Sequence, residues 1–105
     1  MKLLRVGMKG KEKPAALDKE GKIRDISSYI NDLEPETLNF KKIEKLKEIN
    51  LEKLPEISNS ERIGPCVNKP GKFIAIGLNF SDHAAETGAK PPSEPIMFMK
   101  ATSSI

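Results

Sequence analysis

The chain has 105 residues, 37% of them hydrophobic and 5% aromatic, and it contains no Trp. Its 18 Lys and Arg against 15 Asp and Glu leave a net charge of +3, too small and too evenly mixed for the basic face of a nucleic-acid binder. A single Cys excludes an internal disulfide, no apolar run approaches the roughly 18 residues that span a membrane, and the first residues lack the pattern of a signal peptide, so a cytoplasmic protein is expected.

Residues 3–8 partly alternate and predict a strand. Residues 15–17 and 22–26 read as two strands joined by a polar loop at 18–21, so a small antiparallel sheet is expected before residue 30. Ser27 is a candidate cap for a helical turn over residues 27–33. From residue 36 to about residue 50, Leu38, Phe40, Ile43, Leu46 and Ile49 recur at largely three-residue spacing and predict an amphipathic helix with one apolar stripe. Pro35 and Glu36 favour its start. Lys41, Lys42, Lys45, Lys47 and Lys53 are interleaved with Glu44, Glu48 and Glu52, which suits a solvated face better than a phosphate-binding one.

Residues 51–59 read as a connector. Residues 62–67 form a candidate edge strand, because Pro65 cannot donate to a central ladder. Asn68-Lys69-Pro70-Gly71 is a dense turn signal and places a boundary between an accessory domain, residues 1–70, and the beginning of a second domain, residues 71–105. Residues 72–79 are an almost continuous apolar run of the kind buried on both faces of a sheet. Ser81 or Asp82 is a candidate cap for a short helix over residues 82–87, with Gly88 supplying a left-handed end. Pro91, Pro92 and Pro95 hold an extended connector before a second strand at 96–100, and the chain then stops without punctuation, as the front portion of a longer protein would.

His83 is the only histidine, and it stands three residues before Glu86 on the expected helix. Residues three apart share a helix face, so Glu86 could orient the imidazole while its other nitrogen moves a proton, an arrangement suited to general acid–base work. The same spacing equally describes a solvated His–Glu pair with no chemistry. Lys100 ends an apolar strand, where its ammonium either reaches solvent or holds an oxygen of a substrate at a pocket mouth. Asn79, at the end of the buried strand, either shapes the loop or orients a substrate. Cys66 reads as a small apolar residue, Met97 and Met99 as core filler, and no adequate metal ligand set can be assembled.

Residues 72–88, with Gly77-Leu78-Asn79-Phe80-Ser81-Asp82-His83-Ala84-Ala85-Glu86 at their centre, resemble the opening of the catalytic domain of the fumarylacetoacetate hydrolase family, Gly-x-Asn-Tyr-x-x-His-x-x-Glu. Glu94-Pro95-Ile96-Met97-Phe98-Met99-Lys100 resembles the family's Glu-Pro-x-x-Phe-x-Lys segment, and Phe80 departs from the usual Tyr while keeping the ring. Residues 3–26 and 62–67 resemble the N-terminal region of bacterial members described as ureidoglycolate lyase-like or as hydrolases of 2,4-diketo sugar acids. The resemblance implies an α+β fold: a small hairpin-and-helix domain followed by the truncated start of a mixed-β catalytic domain.

It also implies a homodimeric, Mg²⁺- or Mn²⁺-dependent enzyme that cleaves a C–C or C–N bond in a small oxo- or ureido-carboxylic acid. His83 and Glu86 would be its proton-transfer pair, and Asn79 and Lys100 would contact substrate. The metal ligands are expected outside this chain, which by itself would then be inactive. The alternative is that the chain is a non-catalytic accessory or dimerisation domain.

Overall fold

A computed structural model describes all of residues 1–105 and divides them into two units, Met1–Pro70 and Gly71–Ile105. Two antiparallel sheets and two α-helices make the fold α+β. The first unit is organised around a four-stranded sheet of β1 (Lys2–Val6), β2 (Lys13–Leu17), β3 (Ile23–Asp25) and β4 (Glu56–Ile57), adjacent in that order.

The polar loop between β2 and β3 closes on Asp18, whose carboxylate accepts from the backbone N–H groups of Glu20 and Lys22, both at 2.9 Å. Its second oxygen accepts from Arg24 Nε at 2.8 Å. Burial pushes the Asp18 carboxyl up, but the Arg24 bond and the two backbone donors outweigh it and hold the group below its ordinary range. β4 is a fourth strand where a connector was expected; it pairs Ile57 with Ile23. Two residues are too few to show an alternating pattern, so their pairing is decided by tertiary placement.

Ala15 and Ala16 are both fully buried, and successive strand residues face opposite ways. Apolar side chains are therefore buried on both faces of this sheet. On one side Ala16 meets Ile26, Ile30, Leu33 and Leu46; on the other Ala15 meets Val6 and Ile23.

The stripe of residues 36–50 forms a shorter helix than expected, α1 (Phe40–Lys47). Asn39 caps it, its side chain accepting from Lys42 N–H at 3.0 Å, while residues before it form a turn closed on the Glu34 carbonyl. Leu46 is buried, but Phe40 is 89% exposed. A helix advances about 100° per residue, so strict three-residue spacing drifts by about 60° each step and carries Phe40 off the buried face. Residues 27–33 hold a turn and no helix, and it is the Asp25 carboxylate, not Ser27, that accepts the backbone N–H there.

A charged clasp fastens the far end of this unit. Arg5, 6% exposed, donates to both oxygens of Asp32 at 2.7 and 3.0 Å, and Asn68 donates to the same carboxylate at 2.9 Å. Glu12 lies 3.5 Å from Arg5 and accepts from Arg62 at 2.8 Å. Residues 62–64 run beside β1 through backbone bonds from Gly7 to Arg62 and from Gly64 to Arg5, but only one bridge forms, Val6 with Ile63. Pro65 ends the pairing, so the expected edge strand is reduced to that bridge. A Cβ on Gly64 would sit 2.8 Å from Glu12 Oε1, so a side chain there would displace the Glu12 carboxylate.

The second unit is a hairpin of β5 (Phe73–Gly77) and β6 (Ile96–Lys100), joined through α2 (Ser81–Glu86) and an extended connector. β5 is not buried on both faces as its composition suggested. Phe73, Ile74 and Ile76 are all exposed, as are Ile96, Met97, Phe98 and Met99 opposite them. One partner strand covers one edge of β5 and neither of its faces, whatever the side chains are. No helix of the chain is long and apolar enough to cross a membrane.

Candidate functional site

The turn from β5 into α2 carries three of the four candidate side chains. Leu78 takes a positive φ of +48°, a left-handed conformation that a branched side chain adopts only under constraint. It turns the chain out of the strand so that Asn79 and Phe80, both exposed, precede the helix. Phe80 is the N-cap and gives no side-chain bond; Ser81 and Asp82, the expected caps, lie inside the first turn.

The other end of α2 is sharply defined. Gly88 takes a φ of +68°, its N–H donates to Ala85 O at 3.1 Å, and Ala89 N–H donates to Ala84 O at 2.9 Å. This is a Schellman closure, and Thr87 Oγ1 adds bonds to the carbonyls of His83 and Ala84. Ala84 is the buried residue of the helix, while His83 and Glu86 are exposed. The two side chains share one face by spacing, yet no hydrogen bond or ion pair joins them. The imidazole is free to meet a ligand and is not oriented by the glutamate in this state.

Lys100 is set apart from Asn79. The hairpin register pairs Phe73 with Lys100 and Gly77 with Ile96, so Lys100 lies beside the start of β5 and Asn79 just beyond its end. Four residue steps separate the two ends of β5, about 13 Å at the usual rise. The Lys100 ammonium sits 5.5 Å from the ring centroid of Phe98, a cation–π contact on the hairpin itself. Cys66 is free and exposed.

No group of three His, Cys, Asp or Glu side chains stands close enough to hold a metal ion. The donor set of this chain therefore does not fit Mg²⁺ or Mn²⁺, each of which takes several oxygen ligands. In the first unit, sequence reasoning passed over the Arg5–Asp32 clasp, since its partners stand 27 residues apart and nothing in their spacing links them. It also treated Lys42 and Lys45 simply as a solvated face, although both border a concavity of the fold.

No family model matches the chain. Proteins of Burkholderia ambifaria and Burkholderia multivorans are each 50% identical to it, and one of Burkholderia cenocepacia is 51% identical, in every case over all 105 residues. Each of these relatives carries the name "Putative hydrolase". The chain spans 37% of the length of each.

Proposed function

We propose that the chain is the N-terminal part of a metal-dependent hydrolase or lyase of the fumarylacetoacetate hydrolase type, acting on a small oxo- or ureido-carboxylic acid. The observation that carries this reading is the turn from β5 into α2, where a strained Leu78 and the Gly88 closure present exposed Asn79 just before a short helix and exposed His83 and Glu86 on it. The hydrolase name of the relatives supports it. So does their length, because a catalytic domain needs more chain than one hairpin and one helix.

In this proposal His83 takes up or delivers a proton at the reacting centre. Glu86 sets the imidazole orientation once the helix is covered, and Asn79 donates to a substrate oxygen. Mg²⁺ or Mn²⁺, bound by residues outside this chain, would supply Lewis-acid stabilisation of developing negative charge. Lys100, at the other end of the hairpin, serves substrate only if the remaining fold brings a ligand across the sheet. The first unit, with its own core and clasp, is the accessory domain, and in isolation the chain carries no activity.

The test uses a protein of the relatives' full length that contains this sequence. A panel of diketo acids and ureidoglycolate is assayed with and without chelator. His83→Ala is expected to lower kcat by at least about 100-fold on whichever compound is turned over, with the fold unchanged by circular dichroism. Undiminished turnover in that variant, or indifference to chelator, overturns the reading.

A further inference from the structure

The first unit contains a concavity of about 390 Å³ whose floor is formed by Ile30 and Leu46 and whose rim carries Tyr29, Asn31, Lys42 and Lys45. Its volume falls within the range of small-molecule sites, which combine an apolar floor with a few polar groups. No carboxylate lines it. Several basic side chains of the unit do find acidic partners, among them Arg5 with Asp32, Lys13 with Asp25, Arg24 with Asp18, Lys47 with Glu44 and Arg62 with Glu12, but none of those carboxylates reaches this concavity.

Lys42 and Lys45 form no ion pair; the Lys42 ammonium reaches only the Glu36 carbonyl, at 3.3 Å. The Tyr29 hydroxyl and the Asn31 amide make no protein hydrogen bond, so four polar groups with donor capacity around one apolar floor are largely unspent. The two lysines are also three apart on α1, a like-charge spacing that weakens a helix and that a bound anion would relieve. A larger groove of about 640 Å³ lacks this character, since Asp18 and Glu52 line it and its Lys47 is already paired with Glu44.

We propose that the pocket between Tyr29 and α1 binds a small organic anion, a carboxylate or phosphate monoester with an apolar body. The ammonium groups of Lys42 and Lys45 hold the anion, the Tyr29 hydroxyl and Asn31 amide orient it, and Ile30 and Leu46 receive the apolar part. Because the pocket lies wholly within residues 1–70, this site does not depend on the catalytic reading of His83.

The 105-residue chain, labelled with ¹⁵N and with ¹³C at lysine, is titrated with benzoate, phenyl phosphate, inorganic phosphate and benzyl alcohol. Benzoate or phenyl phosphate should shift Tyr29, Asn31, Lys42 and Lys45 together and saturate at about 1 mM, the range expected for a ligand of this size. The stronger of the two identifies the anion. Benzyl alcohol and inorganic phosphate, each lacking half of the recognition, should bind at least about tenfold more weakly. The double variant Lys42→Met, Lys45→Met, checked for folding by its amide spectrum, should lose at least tenfold in affinity. Raising NaCl from 20 to 500 mM should weaken binding to the unaltered protein by screening. Shifts scattered over the other lysines, inorganic phosphate matching the aromatic anions, or affinity indifferent to salt and to the double variant would overturn the site.

Discussion

Residues 1–70 and 71–105 each combine an antiparallel sheet with one α-helix, and they dispose of their apolar side chains in opposite ways. In the first unit, Ile26, Ile30, Leu33 and Leu46 close over the Ala16 face of the sheet, the strands' own Val6 and Ile23 pack around Ala15 on the other, and Ile26 and Leu33 are almost fully buried. In the second, larger and more apolar strands bury less, and Met97 is 68% exposed. Apolar content does not make a core; covering elements do. A two-stranded hairpin has marginal stability in water unless another layer packs on it. The second unit has the composition of a sheet interior without the layers that would make it one.

Substitutions break or sharpen that contrast. Leu33→Ala should cost about 4 kcal/mol in urea unfolding of the first unit, because it empties a site with no solvent access. Met97→Ala, in the second unit, should change stability by no more than about 0.5 kcal/mol. Equal losses at the two positions would mean that the hairpin faces are covered in solution.

Next in size is the clasp. Asp32→Ala leaves the Arg5 guanidinium buried without its principal partner and should cost about 3 kcal/mol. The same carboxylate predicts an acid dependence. Burial raises the Asp32 carboxyl, but the Arg5 hydrogen bond, the Leu33 N–H, the Arg5 charge and Asn68 together hold it below its ordinary value of 3.8. A depressed carboxylate contributes stability that is fully present above 3.8 and is lost as the pH falls through the lowered value. Unfolding free energy of the first unit should therefore fall below about pH 4. The fall should be shallower in Asp32→Asn, and an unchanged slope in that variant would remove Asp32 from the explanation. Asp18 and Asp25 act in the same direction and leave a residual slope.

A smaller loss than at the clasp concerns α2. Gly88→Ala forces a side chain into the left-handed region and should cost about 1 kcal/mol, read as faster amide exchange at residues 84–89 with the first unit unaffected. Exchange there as slow as in the unaltered protein would show that the Schellman closure does not hold the helix that carries His83.

The hairpin of β2 and β3 was legible because apolar pairs flank a polar loop, a purely local pattern. α2 was legible for the same reason, to within one residue at each end. β4 was not, since Glu56 and Ile57 form a strand only because β3 offers them an edge. Phe40 misled because a regular three-residue repeat looks like a stripe yet winds around a helix. β5 misled more deeply: an apolar run reports what a strand needs, not whether this chain provides it. At the candidate site, the sharing of a face by His83 and Glu86 followed from spacing. The displacement of Lys100 from Asn79 followed from register, which the linear motif does not state. The Arg5–Asp32 clasp left no periodic trace at all.

Amide hydrogen exchange on the 105-residue chain tests the contrast between the two units most directly. Backbone amides of β2 and β3 should exchange only through near-global opening of the first unit, while those of β5 and β6 should exchange at least about 100-fold faster through local opening. Equal protection of the two sheets would contradict it, and would mean that the hairpin carrying the candidate site is already complete within these residues.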